Sequence, residues 1–351
     1  MLNKLARPIS FFALGLAASA SLAQAEDQYK IAWTIYAGTM PLGYAQDHGI
    51  LQKWGQKYGF GLQAVQLNDY IEAQTQFAAG TFDGSVAITL DALTIPAASG
   101  VDTTVVLPMS TSAGSDGIVM RGKEVSLESI KGKRVNLVEL SGSHYMLARA
   151  LDSVGLSEQD ITVVNTSDAD IGSIFTDSST EVVATWKPQL SQILNQFDDT
   201  SLVFDSSDIH GEIVDGLIVH TETLAREPNL GKALAGAWYE TTAMLDPDHP
   251  EHTQFVQYMA EQLNTTAEDL NSQLATIEFF NAQEGLSYVT SDSFTVTMER
   301  IADFAFAHGL LGDGAPSADF IGIETGTGSV IGSEENVKLR FSTQWMQEIQ
   351  P

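Results

Sequence analysis

An alternation of strand-like and helix-like segments limits what this chain can fold into more than any other feature. Tyr29–Ile35 (YKIAWTI) reads as a strand, followed by a Gly/Pro-marked loop and a short helix ending near Gly49. Gly61–Leu67 reads as a second strand and Tyr70–Ala79 as a helix, with Ile71, Thr75 and Ala78 on one face and Gly80 as its stop. Gly84–Thr89 is a third strand, Asp91–Ala98 opens the next helix, and Thr103–Leu107 is a fourth strand. Strands separated by helices call for an α/β layer with a mainly parallel sheet.

The pattern then restarts. Strands are expected at 116–120, 134–138, 161–165 and 182–185, with helices at His144–Val154 and Ala169–Phe175 between them. Short strands follow at 202–204 and 217–219, and from Thr221 the spacing turns largely helical. GTGSVIG at 326–332 does not lead from a strand into a helix, so it reads as a turn and not a phosphate loop. Two α/β units suggest a clamshell, with one lobe from 26–115 plus 216–351 and the other from 116–215.

The first 25 residues stand apart. Lys4 and Arg7 precede an apolar run from Phe11 to Ala18, and Ala23-Gln24-Ala25 offers a small-residue cleavage site. That is the pattern of a secretory leader cut after Ala25, so the protein is expected to be exported. The apolar run is too short for a membrane span. There is no cysteine, so neither a disulfide nor a lipid-bearing thiol is available. A formal charge of −28 makes nucleic acid and anionic membranes poor partners, and it also suits solubility in salt. Hydrophobic residues make up 44% of the chain, enough to build cores and exclude disorder.

In open α/β sheets, ligands bind beyond the carboxyl ends of the strands. The residues there are Tyr36, Asp69, Asp91, Asp116, Glu139, Asp168 and Trp186, with Asp215 just before a late strand. Asp168 and Asp170 read as helix-start residues. The best ligand candidates are Glu139, Trp186, Asp91, Tyr36, Asp116, Asp215 and Ser141. Glu139 is the most telling. It sits where a strand meets a helix start, a natural seat for an anion, and a carboxylate there would turn the seat toward cations. Ser141 and Ser143 would cap the helix. Carboxylates crowded in one pocket repel one another and raise a pKa, which a cation would relieve. Guanidinium offers a planar fork of N–H donors to carboxylates, and Trp186 or Tyr36 would add a cation–π face. Urea, with an acceptor of its own, would need a donor aimed at its oxygen.

At these positions the chain resembles the periplasmic substrate-binding proteins of ABC transporters of the nitrate/sulfonate/taurine type. It resembles most the subgroup encoded beside urea carboxylase genes. The resemblance rests on WTIYAGTMPLGYAQDHGI (33–50), VQLNDYIEAQTQFAAGTFDG (65–84), DALTIPAASGVD (91–102), VNLVELSGSHYMLARALDSVGL (135–156), VVNTSDADI (163–171), WKPQLS (186–191) and GLLGDGAPSADFIGI (309–323). It implies a type II clamshell with two crossovers, no cofactor, and a monomer that delivers a small solute to a membrane permease and its ATPase. The subgroup implies a nitrogen-rich ligand, guanidinium or urea, without choosing between them.

An exported enzyme is the rival class. The chain has no G-x-S-x-G elbow and no cysteine nucleophile. His210-Gly211-Glu212 is half of a deaminase zinc motif without its C-x-x-C partner. His249 and His252 in DPDHPEH could hold a metal, but the proline spacing marks a loop.

Overall fold

The computed structural model describes residues 27–349, so the leader expected over 1–25 lies outside the described residues. Among the described residues, fourteen strands form two sheets. In chain order they are β1 (Gln28–Thr34), β2 (Gly61–Leu67), β3 (Gly84–Ile88), β4 (Thr103–Ser112), β5 (Asp116–Arg121), β6 (Arg134–Leu137), β7 (Thr162–Asn165), β8 (Val182–Trp186), β9 (Thr200–Asp205), β10 (Val214–His220), β11 (Ile277–Phe279), β12 (Gly322–Glu324), β13 (Val330–Ile331) and β14 (Val337–Phe341). The large sheet runs β13-β12-β14-β4-β10-β3-β1-β2, with β11 also on β4; the small sheet runs β7-β6-β8-β5-β9. The chain leaves the large sheet after β4 and returns to it at β10, so it crosses between the sheets twice.

Both sheets are mixed, where mainly parallel sheets were expected. The parallel pairs are those built by helical crossovers, such as β1 with β2 and β3, and β6 with β7 and β8. The antiparallel pairs gather at the crossings: β10 lies between β3 and β4, and β5 between β8 and β9. A strand that brings the chain back from the other sheet enters from the opposite end, and so it pairs antiparallel.

β4 is the spine of the large sheet, buried at every position. Its TTVVLPMSTS sequence is apolar in the middle and hydroxylated at both ends, as suits a strand covered on both faces whose end reaches a cleft. Pro108 has no N–H to give, and it pairs with Gly216 beside a register shift between Asp215 and Gly216. That bulge re-aims Asp215, which lies inside β10 and not before a strand as expected. The chain beyond Thr221 is helical but also supplies β11–β14. The 326–332 stretch, read as a turn, closes the β12–β13 hairpin and contributes the two residues of β13. One face of the small sheet has its own core of Val119, Ile171, Phe175, Val183, Leu190 and Ile193. Among the described residues, no helix is long and apolar enough to cross a membrane.

Candidate functional site

A cavity of about 130 Å³ lies between the two sheets. Such a space takes only a handful of non-hydrogen atoms. Its walls come from both sides. The large-sheet side supplies Tyr36 after β1, Asn68 and Tyr70 after β2, Asp91 after β3, and Asp215 of β10. The small-sheet side supplies Asp116, Ser141, Ser143, Asp168, Trp186 and Gln189. Asp116 opens β5 directly opposite Trp186 at the end of β8, which sets a carboxylate and an aromatic ring side by side at the crossing. One glycine allows the walls to meet: a Cβ on Gly142 would come within 2.8 Å of Ile88 Cδ1 across the cleft.

Four carboxylates face this space: Asp91, Asp116, Asp168 and Asp215. No Lys, Arg or His is among the lining residues. Lys187, next to Trp186, turns instead to Thr276 Oγ1 at 3.0 Å. Asp91 is 0% exposed and Asp116 only 7%, so water does little to screen either charge. Burial pushes Asp91 up to about 7, with the Tyr70 hydroxyl offsetting part of the shift. Burial pushes Asp116 up to about 6 against the hydrogen bond donated by Ser112 Oγ. Asp215 rises to about 7 through burial and the charge of Asp116, against the bond donated by Ser110 Oγ at 3.1 Å. Asp168 is raised as well, by burial and by Asp69. Burial, Asp215 and Asp116 all hold the Tyr36 hydroxyl in its neutral form. Tyr70 and Trp186 meet edge to face with ring centroids 6.3 Å apart.

Several polar atoms at the cavity have no partner. Gln189 Oε1 and Ser143 Oγ are buried without a hydrogen bond, and the buried Asp91 oxygens meet no donor but the Tyr70 hydroxyl. The Tyr70 hydroxyl accepts from the Ile88 N–H at 3.0 Å and turns its own proton toward Asp91. Buried polar groups are normally satisfied, and an unsatisfied one costs roughly 1–3 kcal/mol. Gln189 Oε1 and, once ionised, the Asp91 carboxylate are acceptors, so the chemistry that fits them is that of a ligand rich in N–H donors.

The helix Gly142–Ser153 starts at this cavity, but its donors are largely engaged. Ser141 is the N-cap, and its Oγ accepts from the Ser143 N–H at 3.2 Å and donates to Val138 O at 2.7 Å. Its carbonyl takes the N–H groups of His144 and Tyr145. Glu139 does not occupy this seat. It is exposed in the turn before the helix, its N–H bonded to Asn165 Oδ1 at 3.0 Å, and it does not line the cavity. The expectation for Glu139 is therefore corrected. The turn through Leu140, with φ of 67°, separates it from the helix start, and Ser141 is the residue that reaches it.

Of the seven expected contacts, Trp186, Asp91, Tyr36, Asp116, Asp215 and Ser141 come together around the cavity, and Glu139 stays outside. Asp168, read as a helix-start residue, does begin the helix Asp168–Ile174 but also lines the cavity. Tyr70, Asn68, Gln189 and Ser143 were not anticipated as site residues. Tyr70 and Asn68 follow β2, so the same strand-end reading that found Tyr36 would have found them. Nothing in WKPQLS marks Gln189 as lining the cavity.

No curated protein sequence matches the chain. Among solved structures, the alkanesulfonate-binding protein SsuA from Xanthomonas axonopodis pv. citri, bound to MOPS, superposes with a TM-score of 0.68 at 17% identity, over 83% of this chain and 96% of that one. The periplasmic aliphatic sulphonate binding protein SsuA from Escherichia coli gives 0.66 at 18%, over 82% and 94%. The periplasmic nitrate-binding protein NrtA from Synechocystis PCC 6803 gives 0.56 at 12%, over 93% and 99%. At such identities the likeness establishes the fold, a two-sheet periplasmic-binding-protein architecture. The sequence profile of the NMT1/THI5 like family matches residues 40–251, more than half of the chain, and this protein belongs to that family.

Proposed function

We propose that this protein is the periplasmic substrate-binding component of an ABC importer, and that its ligand is a small organic cation, guanidinium. In this reading, residues 26–115 with 216–351 and residues 116–215 form two lobes that close on the ligand. The chain acts as a monomer, exported by its leader, and hands the ligand to a membrane permease and its ATPase. It performs no chemistry on the ligand.

One observation carries the choice of ligand. Four carboxylates line a cavity without a basic side chain, and its most buried member, Asp91, meets no donor but the Tyr70 hydroxyl. Guanidinium brings N–H donors in a plane and no acceptor, and charge-assisted bonds to carboxylates are about twice as strong as neutral ones. The rings of Tyr36, Tyr70 and Trp186 give the cation aromatic surface. The same lining disfavours the sulfonate and nitrate named for the structural neighbours, because each would bring a second negative charge into an unscreened site. Urea is the second reading. The unpartnered Ser143 Oγ favours it, since that hydroxyl is free to donate to a urea oxygen.

Thermal unfolding separates these readings. Guanidinium and urea are each added at low millimolar concentration, with ionic strength matched. A ligand at ~100 times its dissociation constant adds about 2.7 kcal/mol of stability. A rise in midpoint with guanidinium alone supports the proposal. A rise with urea alone overturns it in favour of Ser143 as the selecting donor.

A further inference from the structure

A second cluster of ligating side chains lies outside the cavity. His144 stands in the first turn of the helix Gly142–Ser153, Glu158 opens the short turn Glu158–Asp160, and His308 caps the helix Asp292–Ala307. The first two belong to the small-sheet side and the third to the large-sheet side. Glu158 Oε1 lies 2.7 Å from His308 Nε2 and 3.2 Å from His144 Nε2. One ligand atom from each residue falls within 4.8 Å of the other two.

The ring nitrogens decide what the cluster can hold. His308 Nδ1 donates to Phe304 O at 2.9 Å, so its Nε2 carries the lone pair whenever the ring is neutral. A lone pair facing a carboxylate oxygen at 2.7 Å is repulsive, and the contact calls for a cation between them, either a proton or a metal ion. His144 is 2% exposed, and its Nε2, buried beside Glu158, has no hydrogen bond. The neighbouring charges do not fill this gap. Arg149 and Arg300 are both committed to Glu212, and Asp152 and Asp303 line the same groove.

We propose that His144, Glu158 and His308 form a binding site for a divalent transition-metal ion of the Zn²⁺ class, tying the two sides of the molecule together. Two imidazoles and one carboxylate suit Zn²⁺, and the open groove beside them leaves a fourth position for water. The Phe304 carbonyl already orients His308 as the outer partner of a metal-bound histidine does. His144 must change more. Its Nδ1 now accepts the Leu140 N–H at 3.0 Å, and ligation through Nε2 moves the ring proton to Nδ1 and breaks that bond. Leu140 is 40% exposed and holds a left-handed φ of 67°, so the turn carrying it is the piece that yields.

The test titrates untagged protein with Zn²⁺ alone, without guanidinium, by calorimetry and by metal analysis after dialysis. The same titration is made on His308→Gln and Glu158→Gln, and their metal-free thermal midpoints establish that both fold. The site predicts one ion per chain and at least about tenfold weaker binding in each variant. Co²⁺ in place of Zn²⁺ should give the visible absorption of a four-coordinate site in the parent and lose it in His308→Gln. Absence of stoichiometric binding, or binding unchanged in both variants, overturns the assignment. The cavity at Asp91 takes no part in this test.

Discussion

Replacing Asp91 by Asn should move stability and binding in opposite directions. Asp91 is fully buried, and burial lifts its pKa from 3.8 to about 7, with no other carboxylate contributing. A carboxyl raised in the folded state contributes stability that is full below its unfolded value of 3.8 and is lost as pH rises through about 7. The rise from 3.8 to about 7, at about 1.36 kcal/mol per pH unit, makes the ionised group cost at most about 4 kcal/mol. Asn has nearly the shape of the neutral acid and cannot ionise. In the absence of ligand, Asp91→Asn should therefore match the parent only below about pH 3.8, pull ahead as the pH rises and exceed it by the full amount at pH 8. At roughly 2 °C per kcal/mol the gain approaches about 8 °C. The assay is thermal unfolding by calorimetry, since guanidinium and urea as denaturants are also the candidate ligands. The same variant should bind guanidinium roughly 10- to 100-fold more weakly, because a hydrogen bond to a charged group is worth about 1.5–3 kcal/mol. A ligand-free variant less stable than the parent at pH 8, or one that binds guanidinium as tightly, would refute this reasoning.

Three further outcomes are expected. Trp186→Ala should weaken guanidinium binding by about 0.5–2 kcal/mol, roughly 2- to 30-fold, and calorimetric titration reads it directly. Glu139→Gln should leave the affinity unchanged, because Glu139 is exposed and outside the cavity; a large loss would return it to the site. Glu212→Ala should cost about 1–3 kcal/mol at neutral pH, because Arg149 and Arg300, both partly exposed to solvent, lose their shared carboxylate. Burial raises the Glu212 pKa, but the bonds from Arg149 and Tyr145 and the two arginine charges outweigh it and hold it below 4.5. Its contribution is thus full above that value and fades as the pH falls below it, so the variant's deficit in calorimetric midpoint should shrink in acid.

Much of this architecture is legible in the amino-acid sequence itself. The alternation through residue 107 marks β1–β4 because their apolar runs are bounded by Gly, Asp and Pro, which stop elements locally. The strand-end rule brings Tyr36, Asp91 and Trp186 to one place because chain direction within a layer decides which ends meet, whereas Asp116 at the start of β5 and Asp215 inside β10 arrive there on the antiparallel strands of the crossings. The rule does not say where a side chain points. Glu139 and Ser141 are two residues apart, yet the left-handed turn at Leu140 sends one to solvent and the other into the wall. Asp168 looks like a helix start and is one, and its second role at the cavity depends on how the helix is packed. β12 and β13 are two or three residues long and exist only by pairing with β14 and each other, a tertiary effect that periodicity does not carry.

The central claim is that the cavity selects a cation, and one titration tests it most directly. Guanidinium chloride, urea and taurine are each titrated into the protein at about pH 7.5 and about pH 6, on either side of the Asp91 and Asp215 values, with chloride matched. Asp91 and Asp215, both near 7, must give up protons to hold a cation. The account predicts saturable binding of guanidinium alone, weaker at the lower pH, with release of protons to the buffer. Saturable binding of taurine, or guanidinium binding that strengthens as the pH falls, would contradict it.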